Sequence, residues 1–291
     1  MRRLTWNEIR QYWETHAEGL GALDLAADPD ALGNVVWPGQ PLWLNEHLAA
    51  LQEPAYRHLL ELAPAPEGHG RALDVGCGSG RWCRLLRERG YDVVGIDLQE
   101  ALIEADRERY PDMRFEVAPL QDFDDPDGFD LISSVTVIQH NPIAEQAAMA
   151  RRIRELTRDR GHLVLLENVH EQSAYVFSRT VEGWSKLFAD VGFRLVATRA
   201  YDFSPFLRAV LGARNRAKRL GRRGRAEGNG APSELSAAAA AHGLPGRSRG
   251  RRPLEIAMRG AVRLDRPLER LLASRGAARG SIHCGFLFEA V

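Results

Sequence analysis

The sequence predicts an α/β fold: a doubly wound, seven-stranded, mostly parallel sheet whose last strand is antiparallel. Three observations carry this. From Gly70 onward, strand signals alternate with helix signals, the pattern of right-handed crossovers between parallel strands. The strand segments are continuous apolar runs, as strands covered on both faces require. The chain ends on "SIHCGFLFEAV" (281–291), a strand that arrives after a long excursion and so joins the sheet antiparallel.

The elements follow in order. Residues 72–75 make the first strand. A helix over 81–89 carries apolar residues at helical spacing and stops at Gly90. "DVVGI" (92–96) is a second, β-branched strand. Residues 99–110 read as a helix halted by Pro111, 113–117 as the third strand, and "FDLISSVTVI" (129–138) as the fourth. A helix over 144–157, a fifth strand over 162–166, a helix over 181–191 ended by Gly192 and a sixth strand over 193–198 complete the series.

Two segments flank this core of 70–203 plus 281–291. Residues 1–69 read as a helical extension or cap, rich in aromatics: Trp6, Tyr12, Trp13, Trp37, Trp43 and Tyr56. Residues 204–280 read as an insertion before the last strand. Within it, 206–225 is basic with no acid, 224–252 is poor in large apolar residues and expected to be partly disordered, and 253–273 regains a helical pattern.

Composition narrows the function classes. A chain of 291 residues buries one substantial core with appendages, or two small domains. Its formal net charge is zero, so no global field steers it to nucleic acid or membrane. Cys77, Cys83 and Cys284 are too few for a disulfide framework and include no C-x-x-C pair for zinc, so no metal is expected. The first twenty residues lack the apolar stretch of a secretory signal, and no run approaches the ~20 apolar residues of a membrane span. These features point to a soluble, cytoplasmic protein. Nothing in them sets an oligomeric state.

The chemistry begins at "LDVGCGSGRW" (73–82), a glycine-rich turn straight after the first strand. Glycines there let the backbone bend sharply and approach a ligand closely. A dinucleotide site reads G-x-G-x-x-G/A. Here Gly76, Gly78 and Gly80 give G-x-G-x-G: the third glycine comes one residue early, and Arg81 stands where that fingerprint has Gly or Ala. With Asp74 in front, D-x-G-x-G-x-G resembles motif I of the class I S-adenosylmethionine-dependent methyltransferases. Asp97, 17 residues past Gly80 at the end of the second strand, fits the same pattern. Ordered matches continue through "FEVAPLQDF" (115–123), "FDLISSVTVIQHNP" (129–142), "RGHLVLLEN" (160–168) and "LFADVGFRLVATRAYDF" (187–203).

The resemblance implies a Rossmann-like fold and S-adenosylmethionine as cofactor, with S-adenosylhomocysteine as product. It implies that Gly76, Cys77, Gly78 and Gly80 form the cofactor turn and that Asp74 orients the ammonium group. Asp97 would accept from both ribose hydroxyls, and Leu98 would pack on the adenine. The family's usual acid after the third strand is replaced by Pro119, which leaves the Leu120 backbone and the side chain of Gln121 or Asp122 as adenine contacts. Ser134 and Val135 would lie near the methionine part.

Methyl transfer from a sulfonium is an in-line displacement, so the protein mainly aligns the nucleophile and excludes water. An oxygen nucleophile also needs a base. Ligands in open α/β sheets sit beyond the carboxyl ends of the strands, which makes His140, after strand four, a candidate base. Glu167 and His170, after strand five, are rivals. Structural roles compete in each case, as a helix cap for His140 and a loop anchor for Glu167. The N-terminal aromatics are either core or a roof whose faces attract the sulfonium, with Asn45, Glu46 and His47 nearby. The basic 206–225 segment reads as a solvated stretch, a lid over an anionic substrate, or a membrane-surface helix with Phe206, Leu207, Val210 and Leu211 on one side. An RNA contact is the weaker reading, since no RNA-binding module is present.

The function expected is therefore methyl transfer to a small-molecule acceptor, on an oxygen of a specialised metabolite or sugar-like compound, with an anionic acceptor as one option. N-methylation, a peptide, lipid-linked glycan or RNA acceptor, and a non-catalytic S-adenosylmethionine-binding protein are the alternatives.

Overall fold

The computed structural model describes residues 5–19, 28–37, 40–65, 68, 70–170, 176–223, 252–273 and 280–291. The stretch expected to be disordered, 224–252, lies outside these residues except for Arg252.

Seven strands form one sheet in the order β3-β2-β1-β4-β5-β7-β6. They are β1 (Gly70–Val75), β2 (Tyr91–Asp97), β3 (Arg114–Val117), β4 (Phe129–Val135), β5 (Thr157–Asn168), β6 (Phe193–Tyr201) and β7 (His283–Ala290). All neighbours are parallel except β7, which runs antiparallel to both β5 and β6. The predicted fold class holds, including the reversed last strand.

Helices cover both faces. Three precede β1: α1 (Trp6–Gly19), α2 (Leu32–Val35) and α3 (Leu42–Leu62). Between strands come α4 (Arg81–Glu88), α5 (Glu100–Arg109), α6 (Ile143–Leu156) and α7 (Val181–Ala189). Side chains alternate along β1, so Leu73 and Val75 join the core that holds Met149 and Ile153 of α6 and Trp184 of α7. Ala72 joins the opposite core, with Tyr56 and Leu59 of α3 and Cys83 and Leu86 of α4. Asp74 shares the Ala72 face by the same alternation, and this fixes its environment below.

The fourth strand stops at Val135, three residues before the predicted end. Thr136 turns the chain with φ 59° while its N–H donates to Leu166 O at 2.7 Å. A single 3-10 turn, Ile138–His140, follows. It is held by Glu167, whose carboxylate accepts from Ile138 N (2.9 Å) and Gln139 N (3.1 Å). The apolar run continues through the turn because Ile138 is buried in the core, so hydrophobicity alone cannot mark the strand's end.

The insertion contains two packed helices, α8 (Pro205–Arg223) and α9 (Arg252–Ala273). Leu207 of α8 meets Met258, Ala261 and Val262 of α9 and Leu44 of α3, with Val210 and Leu211 against the same cluster. Of the apolar side read as a membrane-facing surface, only Phe206 stays exposed. Among the described residues, no helix is long and apolar enough to cross a membrane. Two buried acids of α9 hold α8 and the exit of β6. Asp265 accepts from Phe206 N (3.0 Å) and Leu207 N (2.9 Å), and one turn later Glu269 accepts from Asp202 N (3.0 Å) and Phe203 N.

Asp106 of α5 lies beneath the start of α4. Its Oδ2 makes no hydrogen bond, and a Cβ on Gly80 would stand 3.1 Å from it. Burial pushes its carboxyl up to about 8, against the pull of Arg109. The folded state thus prefers the protonated acid. The resulting stability is complete below the ordinary 3.8 and is lost as pH rises through about 8. Each pH unit in that window removes up to ~1.4 kcal/mol. Asp106→Asn is therefore expected to raise Tm by several degrees at pH 8 and to leave it unchanged at pH 4, as read by thermal scans at both values.

Candidate active site

The strand order reverses between β1 and β4, and open α/β sheets take ligands beyond the carboxyl ends of the strands at such a point. Two adjoining cavities lie there. The first runs from the β1 turn past the end of β2 to the loop after β3. Trp6, Ile9 and Trp13 roof it, and their i, i+3, i+7 spacing puts them on one face of α1.

The glycine turn is shaped by contact. Gly76 has φ 70°, and a Cβ there would lie 2.3 Å from Val137 Cγ2. Gly78 has φ 58°, and its N–H donates to Asp97 Oδ2 at 2.9 Å. Asp97 Oδ1 accepts from Gln99 N at 3.0 Å. Burial pushes the Asp97 carboxyl upward against these backbone donors. Each oxygen keeps a lone pair for a further donor.

The residues expected to hold a cofactor divide into two groups. Gly76, Gly78, Asp97, Leu98, Leu120, Gln121 and Val135 all line the first cavity. Gln121 brings an amide whose two polar atoms are buried without a hydrogen bond. Such a group lacks a partner that a ligand edge would supply. Asp74, Cys77, Gly80 and Ser134 lie behind the wall. Asp74 is fully buried and accepts from Cys83 Sγ at 3.5 Å. Burial pushes its carboxyl up to about 7, against hydrogen bonds from Ser133 and Cys83. Cys77 Sγ faces β2, 3.0 Å from where a Gly95 Cβ would stand. Gly80 caps α4 in the left-handed conformation. Asp122, the alternative adenine contact, lines neither cavity.

The second cavity has a volume of about 220 Å³ and shares Trp13, Val35, Thr136 and His140 with the first. These four residues form the neck between the two. Its apolar wall includes Trp37, Leu48, Leu207 and Leu211, so α8 of the insertion closes this cavity. Its polar side holds Gln139, Asn168, Asp202, Ser204 and His283, with Arg208 at the edge. Thr136 (φ 59°) and Asp202 (φ 62°) both line it in the left-handed region, backbone strain of the kind that collects at functional sites.

The three candidate bases are separated by this geometry. His140 stands at the neck, edge-on to Trp13 with ring centroids 5.2 Å apart. Glu167 is fully buried and holds the 3-10 turn; burial pushes its carboxyl up to about 8, against the backbone donors of that turn. His170 is exposed, lines neither cavity, and its backbone N–H donates to Asn168 Oδ1 at 2.9 Å.

The other sequence candidates also find places. Trp43 packs under the Arg259 guanidinium, and Tyr56 packs on Trp82 in the core. Asn45 accepts from Trp37 N, while Glu46 and His47 line a separate cleft beside α9. The side chain of Tyr12 lies outside the described residues. No cluster of three metal-ligating side chains occurs among the described residues.

Sequence reasoning missed Asp202 and His283. The sequence points to the exits of strands four and five. Because β7 is antiparallel, its beginning lies at the carboxyl edge, where Tyr201 of β6 pairs with His283. The signal was present: an acid closing "ATRAYD" and a histidine opening "HCGFLF".

Comparison with known proteins gives this arrangement a family. A profile described as a methyltransferase domain matches residues 46–205, more than half of the chain. The chain belongs to that family. The methyl donor of the family is S-adenosylmethionine. Among curated proteins, the ubiquinone biosynthesis O-methyltransferase of Alkalilimnicola ehrlichii is 28% identical over 145 residues, 47% of this chain and 55% of that protein. The trans-aconitate 2-methyltransferase of Variovorax paradoxus is 38% identical over 93 residues, 31% and 36% of the two chains. The chain thus spans about half the length, or less, of these curated relatives. Among solved structures, the [4+2]-cyclase SpnF superposes with a TM-score of 0.57 at 14% identity, covering 100% of this chain and 97% of the other. The StiE O-MT fragment gives 0.50 at 19% identity, covering 84% and 76%. These likenesses show the fold, and a cyclase among them illustrates that fold does not dictate reaction.

Proposed function

We propose that this chain transfers a methyl group from S-adenosylmethionine to an oxygen of a small-molecule acceptor. The observation that carries the reading is the pair of cavities joined at a neck of Trp13, Val35, Thr136 and His140. One cavity has the donor set for the cofactor, and the other has mixed apolar and polar walls suited to a small molecule.

The residues present fit the cofactor. Asp97 offers two carboxylate lone pairs for ribose hydroxyls, and the unpartnered Gln121 amide suits an adenine edge. The glycine turn leaves room for the methionine part. Bound S-adenosylmethionine supplies a methyl already activated by the sulfonium charge. The chain's own part is alignment and dryness. The faces of Trp6 and Trp13 cover the cavity and favour a cation. Val35 and Thr136 set the width of the neck, and His140 borders the acceptor there. Arg208 has no carboxylate partner among the described ion pairs, which suits an acidic group on the acceptor. The unpaired, buried state of Cys77, Cys83 and Cys284 supports a cytoplasmic setting.

The test is turnover. Purified chain incubated with S-adenosylmethionine and a panel of hydroxylated aromatic and aliphatic carboxylic acids is expected to release S-adenosylhomocysteine with a methyl ether or ester. Products methylated on nitrogen instead would overturn the oxygen assignment. Absence of any S-adenosylmethionine binding by calorimetry would overturn the whole reading.

A further inference from the structure

His283 and Asp202 form a pair at the floor of the acceptor cavity. His283 Nδ1 lies 3.1 Å from Asp202 Oδ2. That contact places the ring proton on Nδ1 and leaves the Nε2 lone pair as the acceptor. Nε2 makes no hydrogen bond among the described residues, and the ring stacks on Tyr201 with centroids 5.4 Å apart. Both residues line the cavity.

Asp202 is held for this task from several sides. Ser204 Oγ donates to its Oδ1 at 2.7 Å, and Ile282 N donates to its main-chain oxygen at 3.1 Å. Glu269 of α9 accepts from its N–H, fixing the strained φ of 62°. Burial opposes a charge on Asp202, yet the hydrogen bond from His283, with Ser204 and Arg208, holds its carboxyl below the usual range.

His140 differs. Gln139 Oε1 is pinned by Asn168 N at 2.6 Å, so its amide nitrogen is the atom that faces His140 Nε2 at 3.2 Å. An amide nitrogen only donates, so the His140 lone pair on Nε2 is engaged.

We propose that His283, oriented by Asp202, takes the proton from a phenolic hydroxyl of the acceptor. The O–H bond breaks, its electron pair stays on oxygen, and the proton bonds to Nε2. The proposal rests on the methyl-transfer reading above and deepens it by naming the base and the acceptor class. A phenol is the most acidic of the common hydroxyl acceptors, so an imidazole can take its proton. An aliphatic hydroxyl is far too weak an acid for this base. The Trp13 and Trp37 walls and the 220 Å³ volume suit a single substituted ring.

4-Nitrophenol is a direct probe, because its phenolate alone is yellow. It is added to full-length protein loaded with S-adenosylhomocysteine, at a pH below its own pKa. Wild type is expected to bind it as the coloured phenolate. His283→Gln should lose that colour, and Asp202→Asn should weaken it. Calorimetry with S-adenosylhomocysteine is the control, since neither residue lines the cofactor cavity and both variants are expected to retain that binding. A wild-type chain that binds the probe only as the neutral phenol, or not at all, overturns the proposal. So do variants that hold cofactor product normally and ionise the probe as well as wild type. If wild type itself fails to bind S-adenosylhomocysteine, the methyl-transfer reading is what fails.

Discussion

Asp97→Ala is expected to lower affinity for S-adenosylhomocysteine by roughly 100- to 10,000-fold in isothermal calorimetry. On the proposed reading the carboxylate accepts from two ribose hydroxyls, and hydrogen bonds to a charged group contribute about 1.5–3 kcal/mol each. Two of them amount to about 3–6 kcal/mol, and ~1.4 kcal/mol is tenfold in affinity. The same oxygens accept from Gly78 N and Gln99 N. Removal therefore loosens the glycine turn as well as the ribose contact. Asp97→Asn keeps one acceptor and turns a donor toward one of those N–H groups, so its loss should fall between wild type and alanine. Unchanged affinity in the alanine variant would remove the ribose from this site.

The second large effect is on stability. Asp265→Ala is expected to destabilise the chain by about 3–5 kcal/mol, because two first-turn N–H groups of α8 lose their acceptor and each buried orphan costs about 1–3 kcal/mol. Ser204 precedes the helix, but the Phe206 and Leu207 N–H groups donate to Asp265 and not to its hydroxyl. The acid from α9 therefore does the capping across 59 residues of chain. Urea unfolding should show the loss, and hydrogen exchange should locate it in α8. Asp265→Asn, which still offers one oxygen, should recover part of it. A stability change under ~0.5 kcal/mol, the size of an ordinary surface substitution, would mean that α8 is held elsewhere.

These two residues mark the boundary of what the sequence made legible. Asp97 was readable because its environment is local: a strand end, a glycine turn 17 residues before it, and a family pattern linking them. Gln121 and Leu98 were readable for the same reason. Asp265 was not, since "RLDRPLER" reads as an ordinary charged helix until α8 is folded beside it. Asp74 and Cys77 sit inside the motif, yet strand alternation turns Asp74 toward α4 and the turn points Cys77 at β2, behind the cavity wall. A motif fixes backbone shape more firmly than side-chain direction. The His283–Asp202 pair needed knowledge of which end of an antiparallel strand meets the ligand edge. The Phe206, Leu207, Val210 and Leu211 stripe was seen as a stripe, but its partner, α9, lies some fifty residues downstream.

The most direct measurement is a crystal structure of the full chain with S-adenosylhomocysteine. The ribose hydroxyls are expected on Asp97, the adenine between Leu98 and Gln121, and the sulfur at the neck beside Trp13, Thr136 and His140, open to the cavity that holds His283. A ribose lying away from Asp97, or a sulfur facing away from that second cavity, would contradict the proposed route of the methyl group.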